Sequence, residues 1–179
     1  MNLPDPARDF ILHWGEMGSR WGVNRSVAQI HALLYLSERP LPADAIVETL
    51  GIARSNVSTG LKELQAWRLV RTAPVLGDRR DHFVAEDDPL EMAKRIAEGR
   101  RQREIEPTIQ TLETLVAAAK DDPAMPRAMT ARIDATLGLM QRLDGWYREM
   151  MALPTATQLR LLKVGSAVAR YLPGKRAKD

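Results

Sequence analysis

A chain of 179 residues has room for one domain with an appended helical element, and its 45% hydrophobic and 27% charged residues are ordinary globular usage, which argues against a disordered or a membrane protein. Zero cysteines exclude disulfides, thiolate zinc sites, iron–sulfur clusters and a cysteine nucleophile, while a net charge of +3 permits a polyanionic partner without establishing one. No apolar run nears the roughly 18 residues of a membrane span, and the first residues lack the basic-then-apolar layout of a signal peptide, which places the protein in the cytoplasm.

Helical periodicity dominates. The first helix is expected after Pro6, with Phe10, Ile11, Trp14 and Met17 on one face and an end near Gly18. A second is expected from about Ser26 to Ser37, with Val27, Ile30, Leu33 and Leu34 inward and Glu38-Arg39-Pro40 as its stop. Pro42 suits the first position of a third, which carries Ile46, Val47 and Leu50. Gly51-Ile52-Ala53 then makes a tight connection to a fourth, from about Arg54 to Trp67. Two short helices around a glycine-bearing turn have the layout of a helix-turn-helix, whose second helix enters the major groove of DNA. On that second helix Val57, Leu61 and Leu64 make an inward stripe, while Ser55, Ser58, Thr59 and Lys62 make a polar face. Small hydroxyls allow close approach to base edges, and Lys62 adds a charge for phosphate; an ordinary solvated face carries the same pattern.

Past Trp67, two β-prone pieces, Arg68–Thr72 and His82–Ala85, flank the turn at Gly77-Asp78 and predict a two-stranded hairpin, a wing, with Arg79 and Arg80 at its tip. Between Gly51 and Arg80 the bases Arg54, Lys62, Arg68, Arg71, Arg79 and Arg80 stand against only Glu63 and Asp78, the electrostatic footprint of a duplex binder. Leu90 to about Ala119 reads as one long helix interrupted or bent at Pro107, with Ile105, Ile109, Leu112, Val116 and Ala119 on a seam that a partner helix would cover. A further helix from about Ala124 to Met151 presents Met129, Ile133, Leu137, Met140, Leu143, Tyr147 and Met150. Thr155–Gln158 reads as a capping box opening a last helix to about Tyr171, with Leu159 and Leu162 inward, and the tail from Pro173 is basic and expected to be disordered. These apolar faces predict a homodimer, since a monomer would expose too much of them.

His13, His31 and His82 form no closely spaced ligand pair, so no metal is expected, and His31 reads as a satisfied packing residue. A Walker loop, Rossmann glycines and a nucleophile elbow are all missing, which argues against an enzyme and against a cofactor. The four tryptophans with Phe10, Tyr35, Tyr147 and Tyr171 raise an aromatic cage for a quaternary ammonium ligand, in which Trp14, Trp21 and Tyr35 would serve; core anchoring is the commoner role for such rings.

The run Leu50-Gly51-Ile52-Ala53-Arg54-Ser55-Asn56-Val57-Ser58 through Leu61-Lys62-Glu63-Leu64, followed by Leu69-Val70-Arg71 and Asp78-Arg79-Arg80, resembles the winged-helix core of the MarR family of transcriptional regulators. Trp14-Gly15, Trp21 through Ser26 and Gly77 through Phe83 look like its GbsR branch. The resemblance implies a mainly α winged helix-turn-helix with a small two-stranded wing and long dimerisation helices. It divides the chain into an N-terminal helix contributing to the dimer (1–22), a DNA-binding domain (23–88) and a helical dimerisation region with the basic tail (89–179). It puts Ser55, Asn56, Ser58, Thr59 and Lys62 toward the major groove, Arg80 at the wing position near the minor groove, and Asp78 as the acid orienting it; Arg54 and Arg79 add charge beside them. Choline- or betaine-like compounds are the effector class it suggests. Ala53 stands where relatives offer a serine cap, and Ala85-Glu86-Asp87-Asp88 replaces the usual Leu-Thr after the wing. Two functions follow: a DNA-binding regulator working as a homodimer, or a winged-helix protein–protein adaptor that binds no DNA.

Overall fold

The computed structural model describes residues 3–168, which separate into two compact units divided between Gly99 and Arg100. In the first, α1 (Asp5–Arg20) is followed by α2 (Arg25–Leu36), β1 (Leu41–Pro42), α3 (Ala43–Leu50), α4 (Arg54–Ala66), β2 (Val70–Thr72), β3 (His82–Ala85) and α5 (Pro89–Arg100). Local chemistry sets most of these boundaries. The Asn24 side chain accepts the Ser26 N–H at 2.8 Å and caps α2. Gly51 adopts a left-handed φ of 64° to end α3, a conformation that a side chain would strain.

α2 is buried along most of its length, and Ile30 and Leu33 are fully covered, each stabilising the fold by roughly 1.5–3 kcal/mol. α1 and α4 both pack against it. α4 brings Val57, Leu61 and Leu64, the stripe expected from sequence, and approaches closely at Gly60, where an added Cβ would stand 2.8 Å from Ile30 Cδ1.

The sheet has three antiparallel strands in the order β1-β3-β2, one more than the hairpin expected. Leu41 pairs with Phe83 and Pro42 with His82, so the segment before α3 is a strand and Pro42 is the residue capping the helix instead of its first member. Two residues carry no periodicity, which is why this strand is invisible in the sequence. Beyond β3 the unusual Glu86–Asp88 stretch makes its own hand-off: Asp88 accepts the Leu90 N–H at 2.8 Å, starting α5, and Glu86 pairs with Arg95 at 2.5 Å. Arg95 also donates to the carbonyl of Arg68, a non-glycine residue held at a left-handed φ of 57° where α4 ends.

In the second unit a π-helical turn (Arg101–Ile105) precedes α6 (Glu106–Asp121), α7 (Arg127–Ala152) and α8 (Thr155–Val168). The irregularity expected at Pro107 falls just before it. The Glu106 N–H bonds the Arg101 carbonyl, five residues back, because a proline ring crowds the carbonyl four residues before it and the turn widens to relieve this. α7 of the same chain packs on α6, and the seam through Ile109, Leu112 and Val116 is its covered face. α7 starts at Arg127, three residues later than expected, after Pro126. α8 corrects the expectation more sharply: Leu159 and Leu162 are exposed, and Gln158 is buried instead. The Gln158 amide donates to the carbonyls of Met150, Met151 and Leu153, so it caps the end of α7. Tyr171 and the basic tail lie outside the described residues. No helix among those described is long and apolar enough to cross a membrane.

His31 is buried as expected, but it is not satisfied: its Nε2 has no hydrogen-bond partner among the described residues. Its ring lies between Trp14, at a centroid distance of 6.2 Å, and Tyr35, at 6.4 Å. Burial pushes the imidazole down to about 4. The unfolded chain takes up this proton near pH ~6.5, so stability is expected to fall as pH drops from about 6.5 to about 4, by up to about 3 kcal/mol, and this contribution levels off below. Denaturant unfolding across that window checks it: His31→Leu should remove most of the wild-type slope, and an unchanged slope would show that another group is responsible.

Candidate nucleic-acid interface

Burying Val57, Gly60, Leu61 and Leu64 against the core turns the opposite side of α4 outward. Arg54, Ser55, Asn56, Ser58, Thr59 and Lys62 are all exposed there, within the first three turns of one helix. Ala53 precedes the helix without a side-chain cap, and no side chain takes over that role, so the first-turn N–H groups remain open to solvent or to an acceptor such as phosphate. Arg54 is not a loose cation. Its guanidinium pairs with Asp44 in the first turn of α3.

The wing is a closed turn. The Asp78 N–H returns to the Val75 carbonyl at 3.1 Å, and Gly77 supplies the φ of 83° that the third position of such a turn needs. Asp78 then grips Arg80: Nε lies 3.0 Å from both carboxylate oxygens, Nη2 lies 2.5 Å from Oδ2, and the Arg80 backbone N–H also donates to Oδ1. The Arg80 hydrogen bonds hold the Asp78 carboxyl well below the usual carboxylate range, and the same bonds raise Arg80. Behind them sits His82, buried, with Nδ1 2.9 Å from the Arg80 carbonyl and Nε2 3.4 Å from Asp78 Oδ2. A carbonyl only accepts, so Nδ1 carries the hydrogen and His82 braces the wing from within. Arg79 is exposed beside this cluster.

Asp44 was missed in the sequence, where it looks like an ordinary acid in a helix's first turn. Besides pairing with Arg54 it acts on Arg80 through its charge, so one carboxylate lies within electrostatic reach of the start of α4 and of the wing.

The aromatic residues are arranged differently. Trp14 and Tyr35 are half-buried and linked through Phe10, at 5.4 Å and 6.4 Å, as well as through His31. Trp21, at the end of α1, is 57% exposed. Phe10 also lines an apolar cavity of about 890 Å³ with Leu3, Pro6, Leu33, Leu41 and His82. Among the described residues no three acids or histidines are grouped to hold a metal ion.

Residues 21–81 match the family model for the MarR family. The HTH-type transcriptional repressor GbsR of Bacillus subtilis (strain 168) is 26% identical over 110 residues, which make up 61% of this chain and 61% of that protein, so the match spans under two thirds of the relative. A solved crystal structure of a transcriptional regulator shares the fold with a TM-score of 0.63 at 16% identity, covering 82% of this chain and 95% of that one. The fold is thus a winged helix-turn-helix.

The Asp78–Arg80 pair is solvent-facing, so it orients a side chain more than it stabilises the fold. Its acid stays ionised until far below the pH at which ordinary carboxylates protonate, and the pair should persist across the mildly acidic range. The Asp78 carboxyl 13C shift is expected to stay flat from pH ~7 to about 4. Asp78→Asn should leave the thermal midpoint nearly unchanged while speeding exchange of the Arg80 Nε–H with water. A titration step inside that window would contradict the assigned geometry.

Proposed function

We propose that this chain, whose residues 21–81 match the MarR family model, is a sequence-specific double-stranded DNA-binding transcriptional regulator that works as a homodimer. The observation that carries the reading is the outward face of α4, with hydroxyl, amide and ammonium groups, beside a wing arginine preset by Asp78. Ser55, Asn56, Ser58 and Thr59 suit base edges and phosphates at close range, Lys62 and Arg79 suit phosphate, and Arg54 reaches phosphate on leaving Asp44. The similarity to a repressor points the same way. For the dimer, support comes from the second unit, where Leu139, Leu143 and Trp146 form an exposed apolar stripe along α7.

Response to a small-molecule effector completes the reading. The apolar cavity at Phe10, in ring contact with Trp14 and Tyr35, suits a compact organic cation, and Trp21 adds an exposed ring. An effector must prefer one conformation to alter DNA affinity, so choline or betaine is expected to raise the thermal midpoint and to shift duplex binding together; a full absence of both changes removes the sensor part and leaves the DNA part standing.

A two-fold dimer puts its recognition helices about 34–36 Å apart, so the target should be a pseudo-palindrome with half-site centres about ten base pairs apart. Lys62→Ala is expected to weaken all duplexes alike and to lower the salt slope by about one unit. Arg80→Ala should cost most on sites with A·T-rich flanks, whose narrow minor groove attracts a guanidinium. Titrating both variants on A·T- and G·C-flanked duplexes across salt checks this. No duplex binding by the wild type at moderate salt would favour a protein–protein adaptor instead.

A further inference from the structure

Leu76 occupies the second position of the wing-tip turn, and its side chain is fully exposed at 104%, whereas the next most exposed large apolar side chain among the described residues, Leu162, reaches 72%. Folding gains nothing from it, because a side chain that buries no surface contributes no hydrophobic stabilisation. Nor is it carried on a loose loop. The turn is closed by the Asp78 N–H on the Val75 carbonyl, is shaped by Gly77, and is backed by the buried His82 on the Arg80 carbonyl and Asp78. The same Asp78 that closes the turn grips the Arg80 guanidinium. An apolar point and a cation are therefore built at fixed spacing on one small rigid element.

The chemistry that receives this pair is a slot with anionic walls and an apolar floor. A duplex minor groove, about 6 Å wide, has phosphates along its rims and sugars and stacked base edges within, whereas the major groove, about 12 Å wide, would leave the leucine ungripped. We propose that Leu76 enters the minor groove as an apolar wedge between base pairs, with Arg80 reaching into the groove beside it and Arg79 on the phosphate rim. This rests on the DNA-binding reading above and adds a source of specificity to it. Prising a step open is easiest at flexible pyrimidine–purine steps such as TA and CA, so the wing selects deformable sequence at a position where it makes no hydrogen bond to a base.

The test uses the full chain and a duplex recovered by selection from random sequence, with 2-aminopurine placed at the step facing the wing. Wild type is expected to raise the 2-aminopurine fluorescence by unstacking it and to bend the duplex in an end-to-end energy-transfer assay. Leu76→Ser should abolish both signals and lose about tenfold affinity on TA-containing flanks, with a smaller loss on G·C flanks and an unchanged thermal midpoint. Leu76→Met, which keeps the apolar bulk, should restore the fluorescence signal. Wild-type affinity and fluorescence in Leu76→Ser would overturn the wedge, as would a loss that is equal on all flanks without any unstacking signal. Binding by the wild type in those cases leaves the DNA-binding reading intact, whereas failure of the wild type to select any duplex overturns that reading and the wedge with it.

Discussion

Gly60 and Ile30 meet where α4 crosses α2, and what the first unit presents outward depends on how closely they can approach. A Cβ on residue 60 would lie 2.8 Å from Ile30 Cδ1, nearer than real Cβ contacts allow, and Ile30 is wholly buried with no room to retreat. α1 meets the other side of α2 in a similar way, at Gly18, where the corresponding distance to the Ala28 Cβ is 2.6 Å. Small residues thus seat two helices close against a third, and the rotation of α4 about its own axis is fixed by which residues fit beneath it. With Val57, Leu61 and Leu64 inside, Ser55, Ser58, Thr59 and Lys62 have nowhere to go but out. The polar face is therefore a consequence of packing on the opposite side of the helix.

This explains why so much was legible in the sequence. Period-3.6 patterns report burial against a neighbouring surface, and α1, α2, α4, α6 and α7 each carry one long enough to read. The glycine-bearing connection at Gly51 and the turn at Gly77 were readable because a left-handed φ leaves a residue-type signature. What failed to register lacked either property. β1 is two residues long, and its pairing with β3 is a long-range event between Leu41 and Phe83. Asp44 gains its importance only when α3 and α4 bring it to Arg54. In α8 the pattern itself misled, since Leu159 and Leu162 have helical spacing but the side chain that the fold needed inside was Gln158, for the bare carbonyls at the end of α7.

In the second unit, α7 spends one face on α6, through Leu137 and its neighbours, and still carries Leu139, Leu143 and Trp146 on the outside. A helix between two apolar surroundings shows this double stripe, whereas one lying on a single neighbour shows a polar back. Polar order is kept at the ends: Arg101 pairs with Asp144 at 3.2 Å and Glu106 at 2.7 Å, and Arg148 completes the set on Asp144 at 3.2 Å. The Arg101–Asp144 pair, largely buried on both sides, ties the π-helical turn to α7, where an unpaired charge would carry a desolvation cost with no return.

The basic residues of the first unit divide by what they already hold. Arg54 is spent on Asp44, Arg80 on Asp78 and Arg95 on Glu86, while Lys62 and Arg79 have no ion-pair partner among the described residues. A cation held by a carboxylate attracts phosphate less than a free one, because the pair presents nearly zero net charge at a distance and recovers its field only at contact range. On the DNA-binding reading proposed above, long-range attraction would fall to cations outside these pairs, Lys62 and Arg79 among them, and the paired arginines would act at contact range. To meet phosphate, Arg54 would have to exchange one anion for another and leave Asp44 uncompensated, which would tax the exchange. Arg80 need not let go: Asp78 bonds Nε and Nη2, and Nη1 takes no part in that bond. An arginine oriented in this way gives up rotamer freedom during folding, so less is lost when it meets its target, and the geometry of the wing tip is set before contact is made.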